Sequence, residues 1–259
     1  MTINVTVLGC GSSSGVPAIG NNWGNCDPQN SKNRRLRSSI LIETKGLRIL
    51  VDATPDLRQQ LLDSKVEHLD AVFITHCHAD HINGIDDFRF LNVIMKKDIN
   101  LFATREVIDT IKKRFSYVFE KLLPQANGFY YKPCLIPNEI NNKFNLGPLE
   151  IICFQQDHGF CETTGFRIDD FAYSPDVVNL NKNALSKLRN LKLWIVDCLT
   201  LKPHKTHAHL EKVIEWMHEL KPKKTVLTHM NYDIDYKYIS SILPKNCFAA
   251  YDGMRLSVK

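Results

Sequence analysis

The segment His76-Cys77-His78-Ala79-Asp80-His81 places four potential metal ligands within six residues, directly behind the apolar run Ala71-Val72-Phe73-Ile74. In extended backbone, alternate residues share a face, so His76 and His78 can converge on one ion. A turn into helix after Ala79 swings Asp80 and His81 toward a second position. Imidazole and carboxylate are the ligands that borderline divalent ions, zinc especially, prefer. Histidines also cluster by chance, and a lone strand-end histidine usually just hydrogen-bonds. Three histidines and an aspartate at this spacing behind a buried-type strand fit neither explanation.

One segment cannot close two metal sites, so further ligands are expected at other strand ends. His158 follows the apolar stretch 149–154, Asp176 follows Tyr173-Ser174-Pro175, and His229 follows Thr225-Val226-Leu227. Each alone is an ordinary polar residue; with the first motif they form a set.

Strand patterning is read at residues 3–8, 39–43, 47–51, 71–74, 99–103, 149–154, 165–168, 193–196, 225–227 and 248–250. Thr54-Pro55-Asp56 reads as an N-cap, a first-turn proline and a first-turn acid ahead of a helix over 57–62. A second helix is expected over 104–123, and a third carries the stripe Leu210, Val213, Ile214 and Met217. Stretches 20–37 and 124–144 read as irregular. Strands followed by helices, mixed with hairpins, indicate α/β (α+β) architecture with mixed sheets covered by helices. No repeat or long linker divides residues 1–259, so one domain is expected.

The bulk numbers exclude several classes. A hydrophobic fraction of 44% and a charged fraction of 24% over 259 residues are those of an ordinary globular protein. No apolar run approaches a membrane span, and the first residues lack a secretory pattern, so a cytoplasmic protein is expected. The eight cysteines show no C-x-x-C pair and are expected to be reduced and mostly buried. A net charge of +5 suits an anionic substrate but not a dedicated nucleic-acid partner.

The order Asp52, His76-x-His78-x-Asp80-His81, His158, Asp176, His229 resembles the signature of the metallo-β-lactamase superfamily. The likeness runs from Gly9-Cys10-Gly11-Ser12-Ser13-Ser14-Gly15-Val16-Pro17 to Ala250-Tyr251-Asp252-Gly253-Met254. It is nearest the phosphodiesterase branch, with the phosphoribosyl 1,2-cyclic phosphate phosphodiesterases and ribonuclease Z. Asn33-Arg34-Arg35-Leu36-Arg37-Ser38-Ser39, Pro203-His204-Lys205-Thr206-His207 and Leu227-Thr228-His229-Met230 carry that closer likeness. The resemblance implies an αββα sandwich and two divalent ions, zinc or manganese with iron also compatible. It places His76, His78 and His158 on one ion, and Asp80, His81 and His229 on the other, with Asp176 bridging. It implies that Asp52 orients the cluster, with Asp197 a weaker candidate for the same task. It puts His207 and Asp80 among the catalytic residues, His207 as proton donor to the leaving group, with His204 and His209 as competitors.

A small phosphodiester is the implied substrate, cleaved by water that the paired ions ionise. A tRNA 3′-processing nuclease, a thioesterase or lactonase of the glyoxalase type, and a non-catalytic metal-binding accessory protein are the alternatives. A homodimer is the default assembly. Lys32, Arg34, Arg35 and Arg37 can clamp a phosphate or simply solvate a loop, and the turn at residues 9–15 offers backbone N–H groups to an anion. Cys77 is expected to point away from the ions. The loop Asn22-Trp23-Gly24-Asn25-Cys26-Asp27-Pro28 has one cysteine where some relatives carry a cysteine-rich structural zinc site. That departure argues against a zinc there and against a place in phosphonate breakdown.

Overall fold

The computed structural model describes residues 2–259. The first half of the chain forms β1 (Ile3–Gly9), β2 (Ser39–Thr44), β3 (Leu47–Val51), β4 (Ala71–Phe73), β5 (Ile99–Ala103) and β6 (Leu135–Glu139). The second half forms β7 (Lys143–Leu146), β8 (Leu149–Asp157), β9 (Glu162–Ile168), β10 (Phe171–Ser174), β11 (Leu193–Asp197), β12 (Lys224–Thr228), β13 (Cys247–Ala249) and β14 (Arg255–Val258). They make two seven-stranded mixed sheets, ordered β14-β1-β2-β3-β4-β5-β6 and β13-β12-β11-β10-β9-β8-β7.

Alternation along the strands builds the layers. Ile40 and Ile42 of β2, Ile49 and Val51 of β3, and Ala71 and Phe73 of β4 face the core between the sheets. Leu41, Leu50 and Val72 point to the opposite face. That face is covered by α1 (Leu57–Asp63), the short α2 (Ala79–Ile82), α3 (Phe88–Met95) and α4 (Arg105–Arg114). On the second sheet lie α5 (Lys182–Lys187), α6 (Leu210–Leu220) and α7 (Tyr236–Ile242). Both faces of each central strand are therefore buried, as parallel pairs such as β3–β4 and β11–β12 require. The result is the expected αββα sandwich. Each fully buried aliphatic or phenyl side chain contributes roughly 1.5–3 kcal/mol.

Several local expectations are corrected. The stripe of α6 buries Val213, Trp216, Met217 and Leu220, with Trp216 rather than Ile214 on the core face. The helix expected over 104–123 ends at Arg114; Phe115 leaves helical geometry (φ −135°), and a 3-10 turn, Ser116–Phe119, follows. Ser, Tyr, Val and Phe are weak helix formers, and the turn lets Val118 enter the core. Stretch 124–144 contains β6, an edge strand that tolerates Pro137 because one side of it is unpaired. Helix α1 begins at Leu57, so Asp56 rather than Thr54 occupies the N-cap position, and its carboxylate holds Arg37 Nη1 at 2.9 Å. Among the described residues, no helix is long and apolar enough to cross a membrane.

The turn after α2 is stapled to the end of β3. Ala53 N–H donates to the His81 carbonyl at 2.7 Å, and Gly84 N–H donates to the Ala53 carbonyl at 2.9 Å. A Cβ on Gly84 would stand 1.9 Å from the Thr54 carbonyl oxygen. Gly84→Ala should therefore destabilise the fold by about 1–3 kcal/mol or more, read as a lower urea midpoint. An unchanged midpoint contradicts this close approach.

Candidate metal centre

Six strand ends, from β3, β4, β8, β10, β11 and β12, deliver the polar side chains to one edge of the sandwich. His76 and His78 leave β4 in extended chain; α2 then begins at Ala79 with His78 at its N-cap position, so Asp80 and His81 emerge from its first turn. Asp52, Asp176 and His229 all sit in left-handed backbone, with φ of 65°, 31° and 58°. That region is uncommon for non-glycine residues and costs about 1–3 kcal/mol each, a strain that recurs where function fixes the chain.

The ring atoms meet in two groups that share Asp176. In the first, His76 Nε2 lies 3.6 Å and His158 Nε2 3.8 Å from Asp176 Oδ2, while His78 Nδ1 lies 3.3 Å from His158 Nε2. In the second, His81 Nε2 is 3.4 Å from both Asp80 Oδ2 and Asp176 Oδ1. His229 Nε2 stands 3.5 Å from Asp80 Oδ2 and 3.4 Å from Asp176 Oδ1. Two donor atoms about 2.1 Å from one ion at a tetrahedral angle stand about 3.4 Å apart. Most of these separations match ligand edges better than hydrogen bonds.

The unpaired atoms fit the same interpretation. Buried His76 Nε2, His81 Nε2, His229 Nε2 and Asp176 Oδ1 have no hydrogen-bond partner. Desolvated polar atoms left unpaired cost roughly 1–3 kcal/mol each, so four converging on one point fit a pair of divalent cations. The outer ring nitrogens are fixed. His81 Nδ1 lies 2.7 Å from Asp52 Oδ2, His158 Nδ1 2.6 Å from the Thr206 carbonyl, and His76 Nδ1 3.0 Å from Thr75 Oγ1. Thr75 N–H in turn donates to Asp52 Oδ1 at 2.8 Å. Each such contact orients an imidazole so that its other nitrogen faces the centre.

Electrostatics divides the groups. Burial pushes His76, His78 and His158 below the usual imidazole range, leaving them neutral at pH 7. Burial would also lower His229, but the Asp176, Asp80 and Asp197 carboxylates raise it to about 9. His81 is likewise raised, against the effect of burial, by Asp176, Asp52 and Asp80. Burial would lift Asp176, yet His229, His81 and His76 hold it well below the carboxylate range. Without cations, His81 and His229 therefore carry protons at neutral pH that a cation must displace. Calorimetric titration with zinc at pH 7.5, in buffers of different ionisation enthalpy, should show release of about two protons. Affinity at the Asp80–His81–His229 group should rise as pH climbs toward and through about 9, where His229 gives up its proton. Zero proton release contradicts this charge distribution.

The remaining candidates separate clearly. His207 Nδ1 lies 2.9 Å from Asp197 Oδ2, and its ring lies 4.6 Å from that of His158 and 4.8 Å from that of His229. Asp197 Oδ2 also accepts Val177 N–H at 3.0 Å, and Oδ1 lies 3.8 Å from His229 Nδ1. His204 is exposed, 5.5 Å from His207, and His209 sits at the N-cap position of α6. Arg35 is corrected: its buried guanidinium donates to the carbonyls of Asn231 (2.9 Å) and Ile234 (2.7 Å), so it braces a loop. Arg34 stacks over Trp23 at 5.1 Å, and Arg37 pairs with Asp56. Gly11 N–H in the glycine turn donates to the Leu36 carbonyl at 2.8 Å. Cys77 Sγ turns to the Val107 carbonyl at 3.6 Å, and Cys26 Sγ to that of Ile234 at 3.3 Å. All eight cysteines are free thiols, six of them buried. Sequence reasoning missed the Thr206 carbonyl behind His158 and the Cys161 thiol 3.9 Å from His78 Nε2. A backbone acceptor leaves no sequence signal, and Cys161 comes near only through the β8–β9 turn.

Residues 47–230 match the family described as a β-lactamase superfamily domain. Over 251 residues the chain is 30% identical to an octanoyltransferase of Porphyromonas gingivalis, covering 96% of this chain and 50% of that protein. The chain thus spans about half the length of that relative. It is 26% identical over 211 residues to the anti-Pycsar protein Apyc1 of Paenibacillus harenae, covering 76% of this chain and 84% of that one. The crystal structure of a new diphosphatase from the PhnP family superposes with a TM-score of 0.90 at 31% identity, covering 100% of this chain and 98% of that one. Zinc-bound PqqB from Methylobacterium extorquens shares the fold, with a TM-score of 0.72 at 18% identity and coverage of 98% and 99%.

Proposed function

The chain belongs to the β-lactamase superfamily, and from that premise we propose that it is a hydrolase dependent on two divalent ions, acting on a small cyclic or nucleotide-like phosphodiester. The observation that carries this reading is the pair of ligand groups joined on Asp176, with the His207–Asp197 pair against them. The likeness to a PhnP-family diphosphatase at 31% identity across the whole chain supports phosphorus–oxygen chemistry.

His76, His78 and His158 would hold one ion and Asp80, His81 and His229 the other, with Asp176 common to both groups. Ions held there would lower the pKa of water to supply the nucleophile and would offset charge that develops on phosphate oxygens. The chain's own groups do the rest. Asp52 keeps His81 in the tautomer that presents Nε2, and the Thr206 carbonyl does the same for His158. Asp197 accepts from His207 Nδ1–H, so the protonated ring presents Nε2–H to the leaving alkoxide.

A second reading rests on the octanoyltransferase likeness, which points to acyl chemistry. One experiment separates them. The zinc- or manganese-loaded protein is assayed on bis(p-nitrophenyl) phosphate and on an octanoyl thioester. Phosphodiester turnover that a chelator abolishes and metal restores, with the thioester inert, is the expected result. Thioester turnover with an inert phosphodiester overturns the main reading in favour of the second.

A further inference from the structure

A cavity of about 480 Å³ opens beside the His76–His78 arm of the centre. Thr75, His76, Cys77 and His78 form its inner wall, so the cavity meets the centre at two residues of the first ligand group. The outer walls come from α4, the β6–β7 loop, β8 and β9. Glu106 projects from α4, Asn141 and Asn142 from the loop, Gln155 from β8 and Glu162 from β9. Among the described residues, these five side chains make no hydrogen bond or ion pair within the chain.

The lining selects by charge and polarity. Its two guanidinium groups are already engaged: Arg105 with Asp109 at 3.0 Å and Glu139 at 3.7 Å, Arg114 with the Cys77 carbonyl at 2.8 Å. Three carboxylates, Glu106, Glu139 and Glu162, outnumber them. A second phosphate meets three carboxylates against two guanidinium groups, of which Arg105 is already ion-paired, and this net negative wall disfavours it. Val107 and Ile140 are the aliphatic contribution, too little to cover an acyl chain. What remains is a set of uncommitted amides, each offering a donor and an acceptor side by side, the pattern that reads nucleobase edges.

We propose that this cavity seats the base of a nucleoside phosphodiester, with Asn141, Asn142 and Gln155 as specificity-determining residues. The inference rests on the phosphodiesterase reading and adds the identity of the group beside the reacting phosphate. The base lies against amides whose hydrogen bonds go unmade when an aryl group takes its place, and that loss discriminates between substrates.

The test compares the metal-loaded protein with its Asn142→Ala/Gln155→Ala variant on two esters that share a leaving group, thymidine 5′-(p-nitrophenyl) phosphate and bis(p-nitrophenyl) phosphate. The variant should lose about tenfold or more in kcat/KM on the thymidine ester and stay within about twofold on the bis-aryl ester. Equal losses on both, or none on the thymidine ester, overturn the assignment. If the wild-type protein cleaves neither ester, the phosphodiesterase reading fails separately. Thymidine monophosphate binding by NMR titration then decides the cavity: weaker binding by the variant sustains it, and equal or absent binding overturns it.

Discussion

Asp176→Ala should lower phosphodiester turnover by about a thousandfold or more and leave the purified chain unable to keep a pair of ions. Asp176 is the one carboxylate common to both groups, with Oδ2 facing His76 and His158 and Oδ1 facing His81 and His229. Removing it deprives each position of a ligand at once. It also leaves the raised His81 and His229 imidazoles without their strongest counter-charge. Activity alone does not settle the variant, since the residue is buried and its loss can disturb the fold. Asp176→Asn keeps the shape and removes the charge, so a folded but inactive Asn variant confirms that ligation is what was lost. Turnover within tenfold of wild type in a folded Asn variant contradicts the shared-ligand role.

His207→Ala should behave differently. Its metal content stays unchanged, and kcat on substrates with an alkoxide leaving group falls by about 10²–10³. With a p-nitrophenolate leaving group, which departs without protonation at neutral pH, the loss should be much smaller. That split separates proton donation from a structural role. His207 touches the centre only through ring contacts and is held by Asp197 at 2.9 Å. A merely structural histidine would depress both substrate classes alike, and that outcome removes His207 from the chemistry.

Much of the centre was legible because its ligands follow strands whose burial is written in their composition. Val51, Ile74 and Leu227 end apolar runs, and Asp52, His76 and His229 come within two residues of those ends. The histidine spacing in 76–81 also encodes the change from extended chain to helix, and α2 starts where that spacing requires. The contacts behind the ligands were less accessible. Asp52 meets His81 through a left-handed residue and a backbone staple at Ala53, features set by packing between α2 and the end of β3. Arg35 read as a phosphate clamp because charge on a loop suggests solvent; only the tertiary structure places its guanidinium on the Asn231 and Ile234 carbonyls. Edge strands were the weakest part of the fold reading. In β6, exposed Ile136 and Pro137 break the apolar alternation that marks a central strand. The helix over 104–123 failed for the opposite reason, since apolar spacing continued through Val118 after helix propensity had run out.

Direct metal analysis is the decisive measurement. The purified chain, loaded with zinc or manganese and then desalted, should hold two ions per molecule, and the Asp176→Ala chain one or none. A wild-type chain that retains no divalent ion, or an Asp176→Ala chain that retains as many as wild type, contradicts a centre built on the shared carboxylate.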